Sequence, residues 1–363
     1  RSLALGHNGN LVNTLELAGR VGAAGAATTD SDLVATILAR HPSEDLESAL
    51  VDVLPTLEGA FSFVVMDERS IFAARDPHGL RPLSIGRLSN GFCVASETCA
   101  LDIVGATFLR DVEPGELVRI DERGIVSTRF GLAERSALCI FEFVYLARPD
   151  SRIRGTTVHE VRRELGRRLA LEAPADGDLV IPVPDTAHSA ASGYAEISGI
   201  PYGEGLMKNR YVGRTFIQPS QSLRERGVKL KLNPMPDTVR GKRLVVIDDS
   251  IVRGTTTRQI VQALREAGAA EVHTRITCPP IRWPCFYGID MSTRQELIAA
   301  DLAVDQIKDY VGADSLGYLS LEGMVAATGQ AAESFCRACF DGDYPIPIPE
   351  HAGKFLLEHP AKS

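Results

Sequence analysis

The sequence predicts two domains, an α+β domain with antiparallel sheets followed by an α/β domain built on a doubly wound parallel sheet. Its 363 residues are many for one core and comfortable for two. In the first half, short apolar segments are spaced as hairpins, with helical stretches between them. From Leu179 onward, buried strands alternate with helices. We expect domains at 1–135 and 136–349 and a tail at 350–363.

Individual elements of the first half follow from apolar spacing and from turn residues. Residues 7–10 are polar and predict a turn after a short strand, with a helix beginning near Leu11. Asp30 and its neighbours form a loop with a helix cap. The predicted helices are 33–40 and 44–54, and the predicted strands are 3–5, 59–66, 71–74, 83–86, 91–95, 117–121 and 124–128.

Composition and charge argue against nucleic acids and membranes as partners. The chain is 44% hydrophobic and 24% charged, and its formal net charge is −8. No apolar run approaches the ~20 residues of a membrane span. Seven cysteines without regular spacing favour a reducing compartment, and we expect a cytoplasmic protein. Because the chain opens with Arg1 in a strand-like segment rather than with Met, we expect an N-terminal portion to be absent.

The stretch from Arg243 to Thr256 predicts a binding site for a phosphorylated ribose. Residues 244–247 form an unbroken apolar run, typical of a strand buried on both faces. Asp248 and Asp249 follow it, and small and hydroxylated residues then lead into a helix. A helix N-terminus favours a phosphate, while paired carboxylates suit sugar hydroxyls or a metal ion. The alternative is an ordinary turn with a solvated pair of acids.

Two further segments would complete such a site. A strand at 179–184 leads into Asp185 and Thr186 and then into a helix near 187–197, which makes a second anion cradle or an ordinary turn. Residues 206–243 carry ten basic and two acidic side chains, together with Gly, Pro and Ser. A solvated basic face is one interpretation, and the one we favour is a lid that closes over a polyphosphate.

Four of the cysteines lie where they could share a metal centre. Cys336 and Cys339 form a C-x2-C pair, Cys285 lies in a segment rich in Pro and aromatic residues, and Cys139 opens the apolar connection between the domains. Four thiolates suffice for zinc or for a 4Fe–4S cluster, and scattered core thiols are the alternative. The remaining cysteines are expected to be plain core residues; they are Cys93, Cys99 and Cys278.

The run VVIDDSIVRGTT at 245–256 resembles the phosphoribosyl pyrophosphate (PRPP) signature of type I phosphoribosyltransferases. In that family the acids bind the ribose hydroxyls, directly or through Mg2+, and the loop binds the 5′-phosphate. The implied PRPP residues are Asp248, Asp249, Ser250, Ile251, Val252, Arg253, Gly254, Thr255 and Thr256. The implied pyrophosphate loop contains Asp185 and Thr186, and the implied Mg2+ ligands are Thr186, Asp248 and Asp249. The candidate lid contacts are Lys208, Arg210, Tyr211, Arg214, Arg226 and Lys229.

The first half resembles the glutamine amidotransferase domain of the N-terminal-nucleophile hydrolases. The resemblance rests on GHNGNL at 6–11, TTDSD at 28–32, EGAFSFVVMD at 58–67, ARDPHGLRPL at 74–83 and ASET at 95–98. It implies an oxyanion hole at Asn8 and Gly9 and a glutamine-binding carboxylate at Asp30. A plain turn and a helix cap are the alternatives at these positions. The family's nucleophile is an N-terminal cysteine, which this chain lacks, so we expect it to use ammonia only.

Together the halves resemble the amidophosphoribosyltransferases, in their Bacillus-type iron–sulfur branch, over residues 3–349. The resemblance implies the first committed step of purine synthesis, in which ammonia from glutamine displaces pyrophosphate from PRPP and gives 5-phospho-β-D-ribosylamine. It also implies inhibition by AMP, GMP, ADP and GDP, a homotetramer, and a structural 4Fe–4S cluster. The implied cluster ligands are Cys139, Cys285, Cys336 and Cys339. The alternatives are a base-salvage phosphoribosyltransferase and a non-catalytic sensor of PRPP or nucleotides.

Overall fold

Antiparallel sheets and helices make up the first half of the chain. The computed structural model describes residues 2–20, 27–133, 135–209, 232–291 and 293–349. The five-stranded sheet has the order β1-β2-β3-β7-β8 and the three-stranded sheet the order β5-β4-β6. The strands are β1 (Ala4–Leu11), β2 (Gly59–Met66), β3 (Ile71–Arg75), β4 (Ser84–Leu88), β5 (Gly91–Ala95), β6 (Thr107–Asp111), β7 (Glu116–Asp121) and β8 (Gly124–Arg129). The helices are α1 (Thr14–Arg20), α2 (Asp30–Arg40), α3 (Leu46–Val53), a 3₁₀ turn (Leu54–Thr56) and α4 (Thr98–Ile103).

The polar residues 7–10 are part of strand β1, so the predicted turn there is wrong. All eight residues of β1 pair with β2, and Asn8 lies opposite Ser62. The sequence misleads because these side chains point into a polar site, so the strand lacks the apolar alternation of a half-buried strand.

The predicted helix at 33–40 begins earlier, at Asp30, because the side chain of Thr29 caps it by accepting from Asp32 N.

A parallel sheet organises the second half. Its order is β12-β15-β16-β17, with β12 (Leu179–Pro182), β15 (Arg243–Asp248), β16 (Glu271–Ile276) and β17 (Ser315–Tyr318). Tyr202 forms a parallel bridge with Val180 on the other edge of β12. Across the sheet the order is therefore Tyr202, β12, β15, β16 and β17. Along the chain these are the second, first, third, fourth and fifth segments. The connections that follow β12 and β15 lead to opposite edges of the sheet. Because crossovers between parallel strands are right-handed, their helices lie on opposite faces. This confirms the doubly wound arrangement.

Helices and short ladders complete this half. The helices are α5 (Val158–Glu172), α6 (His188–Ser198), α7 (Pro236–Val239), α8 (Thr255–Glu266), α9 (Ile298–Asp301), α10 (Val304–Val311), α11 (Leu321–Thr328) and α12 (Ala338–Asp341). A π-helical turn (Glu142–Leu146) and 3₁₀ turns (Arg294–Glu296, Ala332–Ser334) accompany them. The paired short strands are β9 (Leu138–Cys139) with β18 (Phe335–Cys336), β10 (Arg152–Ile153) with β11 (Thr156–Thr157), and β13 (Leu206–Lys208) with β14 (Leu232–Pro234). Among the described residues, no helix has the length and apolarity to cross a membrane.

Glycines allow α5 and α6 to pack backbone against backbone. A Cβ on Gly166 would lie 1.8 Å from Ala190 O, and one on Gly193 would lie 2.0 Å from Arg163 O. Neither contact can be relieved by a side-chain rotation, because the crowded atoms belong to the main chain. The close approach holds the start of α6, and the turn before it, against the sheet.

Gly166→Ala is therefore expected to lower the free energy of unfolding of the second half by about 2 kcal/mol or more, through overpacking. The matched control is Gly19→Ala in α1, where an added Cβ meets nothing within 4 Å. That change is expected to be neutral or to stabilise by up to about 1 kcal/mol, because alanine is the better helix former. Chemical denaturation of both variants measures the difference, and equal effects would contradict the packing argument.

Candidate active site

The two predicted anion cradles meet at one edge of the parallel sheet. Thr186 follows β12 and Asp249 follows β15, and these are the strands between which the chain order reverses. The Thr186 hydroxyl donates a hydrogen bond to Asp249 Oδ2. Val183 N donates to Ile247 O at 2.8 Å and keeps the strand ends in register. Ligands of open α/β sheets bind in the crevice at such a reversal.

Asp248 and Asp249 are buried at the base of this crevice, each 8% exposed. Asp249 N donates to Asp248 Oδ1 at 2.9 Å, and the Ser250 hydroxyl donates to Asp249 Oδ1 at 2.6 Å. Burial raises the pKa of both carboxyls, and the proximity of Asp249 raises that of Asp248 further. Two buried acids whose pKa values are raised gain most from a cation or from hydroxyl donors.

The loop from Ser250 to Gly254 delivers backbone amides to the same crevice. Gly254 caps α8 with φ +75°, and a Cβ there would lie 2.7 Å from Ile298 Cδ1 and 3.0 Å from Tyr310 Cε1. The first turn of α8 carries Thr255 and Thr256, so its free N–H groups and hydroxyls face an anion site. The Arg253 guanidinium is paired with Glu296 at 2.6 Å, so this residue contributes to the loop through its backbone.

Lys208 is the one candidate lid residue within the described part of the chain. It ends β13, and its ammonium forms an ion pair with Asp185 in the pyrophosphate loop. That loop contains a cis peptide bond between Pro184 and Asp185. The other candidate lid residues, Arg210, Tyr211, Arg214, Arg226 and Lys229, lie outside the described residues.

A second polar site surrounds β1 in the first half. Asn8 Nδ2 donates to Ser96 Oγ at 3.2 Å, so the amide is held beside β5. Gly9 has φ +151°, and a Cβ there would lie 2.0 Å from Ala60 O, so no other residue fits. The alternative of a plain turn at these positions is wrong because both lie within the strand.

The carboxylate of Asp30 lies beside this strand and accepts hydrogen bonds. Its Oδ2 accepts from Leu11 N at 3.2 Å and lies 3.5 Å from His7 Nδ1. Burial tends to raise the pKa of Asp30, but the hydrogen bond and charge of His7 and the amides of Leu11 and Ser31 lower it below its usual value. Asp30 is the first residue of α2 and Thr29 is the cap, so the cap alternative at Asp30 is also wrong.

Sequence reasoning missed the contacts that join this site to the second half. Asn10 Nδ2 donates to Phe286 O at 2.9 Å. Gly288 approaches so closely that a Cβ on it would lie 2.9 Å from Gly9 O. These partners are nearly three hundred residues apart, so no local pattern connects them. The glycine three residues after Cys285 was the available signal.

The four candidate cysteine ligands line one cavity between the halves. The cavity has a volume of about 20 Å3, and Cys139 and Cys336 are direct partners across the β9–β18 ladder. Burial raises the pKa of Cys139 to about 12 and those of Cys336 and Cys339 well above the usual thiol value. Tyr287 N donates to Cys285 Sγ at 3.4 Å. High thiol pKa values argue against nucleophilic roles for the three shifted residues.

The cysteines expected to be core residues differ among themselves. Cys99 and Cys278 are buried as predicted, whereas Cys93 is only half-buried in β5. The sulfur of Cys93 contacts Gly86 O at 3.8 Å across the hairpin.

Comparison with known proteins shows the family of this chain. A glutamine amidotransferase domain family matches residues 1–102. The amidophosphoribosyltransferase of Mycobacterium tuberculosis H37Rv is 56% identical over 98% of this chain and 71% of the relative's length. The chain belongs to the amidophosphoribosyltransferase family. The Bacillus subtilis member is 50% identical over 96% of this chain and 74% of its own length.

Solved structures of the same family share the fold of this chain. Glutamine PRPP amidotransferase from B. subtilis, complexed with ADP and GMP, superposes with a TM-score of 0.89 at 49% identity. The match covers 97% of this chain and 79% of the other. A structure of the allosteric regulatory enzyme of purine biosynthesis gives a TM-score of 0.90 at 49% identity, covering 98% and 78% of the two chains. The predicted fold and family are thereby confirmed.

Gly254→Ala is expected to weaken PRPP binding by at least about ten-fold, because a positive φ is costly for alanine and the added methyl also crowds the side chains of Ile298 and Tyr310. Gly241→Ala is the matched control, since Gly241 has φ +71° and nothing within 4 Å of an added Cβ. Both variants carry the backbone strain, and only the first displaces the phosphate loop. Calorimetric titration with PRPP and Mg2+ separates them, and equal affinities would contradict this account of the loop.

Proposed function

We propose that this chain catalyses transfer of an amino group to C1 of PRPP, giving 5-phospho-β-D-ribosylamine and pyrophosphate. The observation that carries the proposal is the hydrogen bond between Thr186 and Asp249, which joins the two anion cradles at one crevice. A diphosphorylated ribose needs a site for its 5′-phosphate, one for its hydroxyls and one for its pyrophosphate. The turns after β12 and β15 supply these three functions side by side.

We assign a task to each part of the site from its position. The amides from Ser250 to Thr256, at the N-terminus of α8, bind the 5′-phosphate. Asp248 and Asp249 accept hydrogen bonds from the ribose hydroxyls. Asp185 and Thr186 lie beside the pyrophosphate, and Lys208 offsets the charge that grows on it as the C1–O bond breaks. Fixed position and charge compensation account for catalysis without a covalent intermediate.

Mg2+ is the metal that the donor set fits. Asp248 and Asp249 offer carboxylate oxygens and Thr186 a hydroxyl, all hard oxygen ligands. Among the described residues, Arg162 is the main basic group that lowers the pKa of Asp249, and its own donors bond to backbone carbonyls. When bound, the ion would neutralise charge on the pyrophosphate.

A 4Fe–4S cluster is the group that best fits the four cysteines. Zinc would need its ligands converged on one point at about 2.3 Å. Among the described residues, no three His, Cys, Asp or Glu side chains converge on a single ion. Four sulfurs spread around one cavity suit a cluster of several irons. When bound, the cluster would tie the C-terminal residues Cys336 and Cys339 to Cys139 and Cys285.

Glutamine is the proposed ammonia source for the intact site around Asn8, Gly9 and Asp30. We expect the transfer site of the second half to accept ammonium directly as well. AMP, GMP, ADP and GDP are the proposed inhibitors, since they share a phosphorylated ribose with PRPP. A homotetramer and a cytoplasmic location complete the proposal.

Pyrophosphate release from PRPP and Mg2+ tests the proposal, with ammonium or with glutamine as the nitrogen donor. Release is expected with ammonium, because this donor needs only the site in the second half. Asp249→Asn should slow it by roughly 100-fold, because the ribose and metal ligand is lost. The control is Asp176→Asn, an exposed acid before β12 at the opposite end of the sheet. PRPP binding without release in either condition would contradict the proposal and favour the sensing alternative.

A further inference from the structure

One basic side chain lines the four-cysteine cavity, and it comes from the other half of the chain. Arg81 lies between β3 and β4, yet it borders the cavity together with Cys139 and Cys285. Two tyrosines also border the cavity, but their hydroxyls are engaged elsewhere. Tyr287 donates to Ile346 O and Tyr344 donates to Pro284 O, each at 2.7 Å.

Arg81 is buried, and one of its N–H donors has no acceptor among the described residues. The residue is 3% exposed, Nη1 donates to Glu142 Oε1 at 2.9 Å, and Nη2 donates to Tyr287 O at 3.0 Å. Nε is buried and has no hydrogen-bond partner among the described residues. A buried N–H without an acceptor is strongly disfavoured, so an orphaned donor beside a cavity implies an acceptor inside it.

The charge of the cavity points to the same acceptor. Four thiolates outweigh the positive charge of a 4Fe–4S core, so a loaded centre is a buried anion with sulfur acceptors on its surface. Glu142 partly compensates Arg81, but it does not line the cavity. The guanidinium therefore bonds the carboxylate and also borders the cavity that the sulfurs line.

We propose that Arg81 Nε donates a hydrogen bond to a sulfur of the cluster and that its charge stabilises the loaded centre. The inference rests on the proposed cluster and adds a residue outside its ligand set. Hydrogen bonds to sulfur and nearby positive charge both disfavour loss of an electron from an iron–sulfur centre. Arg81 therefore protects the centre from dioxygen, which takes up the electron that the cluster loses in the first step of its oxidation.

The test compares Arg81→Met, Arg81→Lys and the matched control Arg275→Met in full-length chain purified without air. Arg275 is also buried and also donates to backbone carbonyls, those of Ala173 and Pro174, but it lies away from the cavity. Two properties are measured for each protein. They are the iron and sulfide content before exposure to air, and the rate at which visible absorption decays in air.

Arg81→Met is expected to bleach at least about ten-fold faster than the parent chain. The stabilisation that a hydrogen bond to a charged group provides corresponds to about that factor in a rate. Arg81→Lys should be intermediate, because it keeps the charge and loses the fixed donor. Arg275→Met should bleach at the parent rate. If Arg81→Met takes up no iron, the lysine variant decides, and a parent-like rate there would overturn the inference.

Failure of the inference differs from failure of the cluster proposal. Normal iron and sulfide content with unchanged bleaching in Arg81→Met would overturn the role of Arg81 alone. A parent chain without iron or sulfide would overturn the cluster, and the inference with it.

Discussion

The hydrogen bond from Thr186 to Asp249 is the contact on which the site in the second half depends. It closes the gap between two turns that the strand order places side by side. Burial of Asp248 and Asp249 is costly without a ligand, which raises the pKa of both. The two buried carboxyls thus form an unfavourable charge arrangement that the proposed ligands would relieve. Gly166 keeps α5 and α6 close enough to hold the first turn in place.

A single segment connects the other two sites. Cys285 lines the cysteine cavity, the carbonyl of Phe286 holds Asn10, and Gly288 packs on the backbone of Gly9. Arg81 fastens the same segment from the first half through Tyr287 O. The cysteine cavity and strand β1 therefore share this segment as a common support.

Much of this arrangement was predictable because its signals are local. The acid pair, the helix after it and most of the strands lie in short runs whose spacing fixes their structure. The strands β6 and β17 were not predicted. The strand at residues 7–10 was not predictable, since a strand that faces a polar site lacks apolar alternation. Arg81 and Gly288 were not either, because their partners are far away in sequence and a buried arginine has no pattern of its own.

The most direct test of the central claim is a double-mutant cycle of Thr186→Val and Asp249→Asn, with PRPP affinity measured by calorimetry in the presence of Mg2+. If the two turns form one site, the effects are coupled. The double variant should then bind little worse than Asp249→Asn alone, with an interaction energy of about 1 kcal/mol or more. Additive losses would show that the turns act independently and would contradict the account.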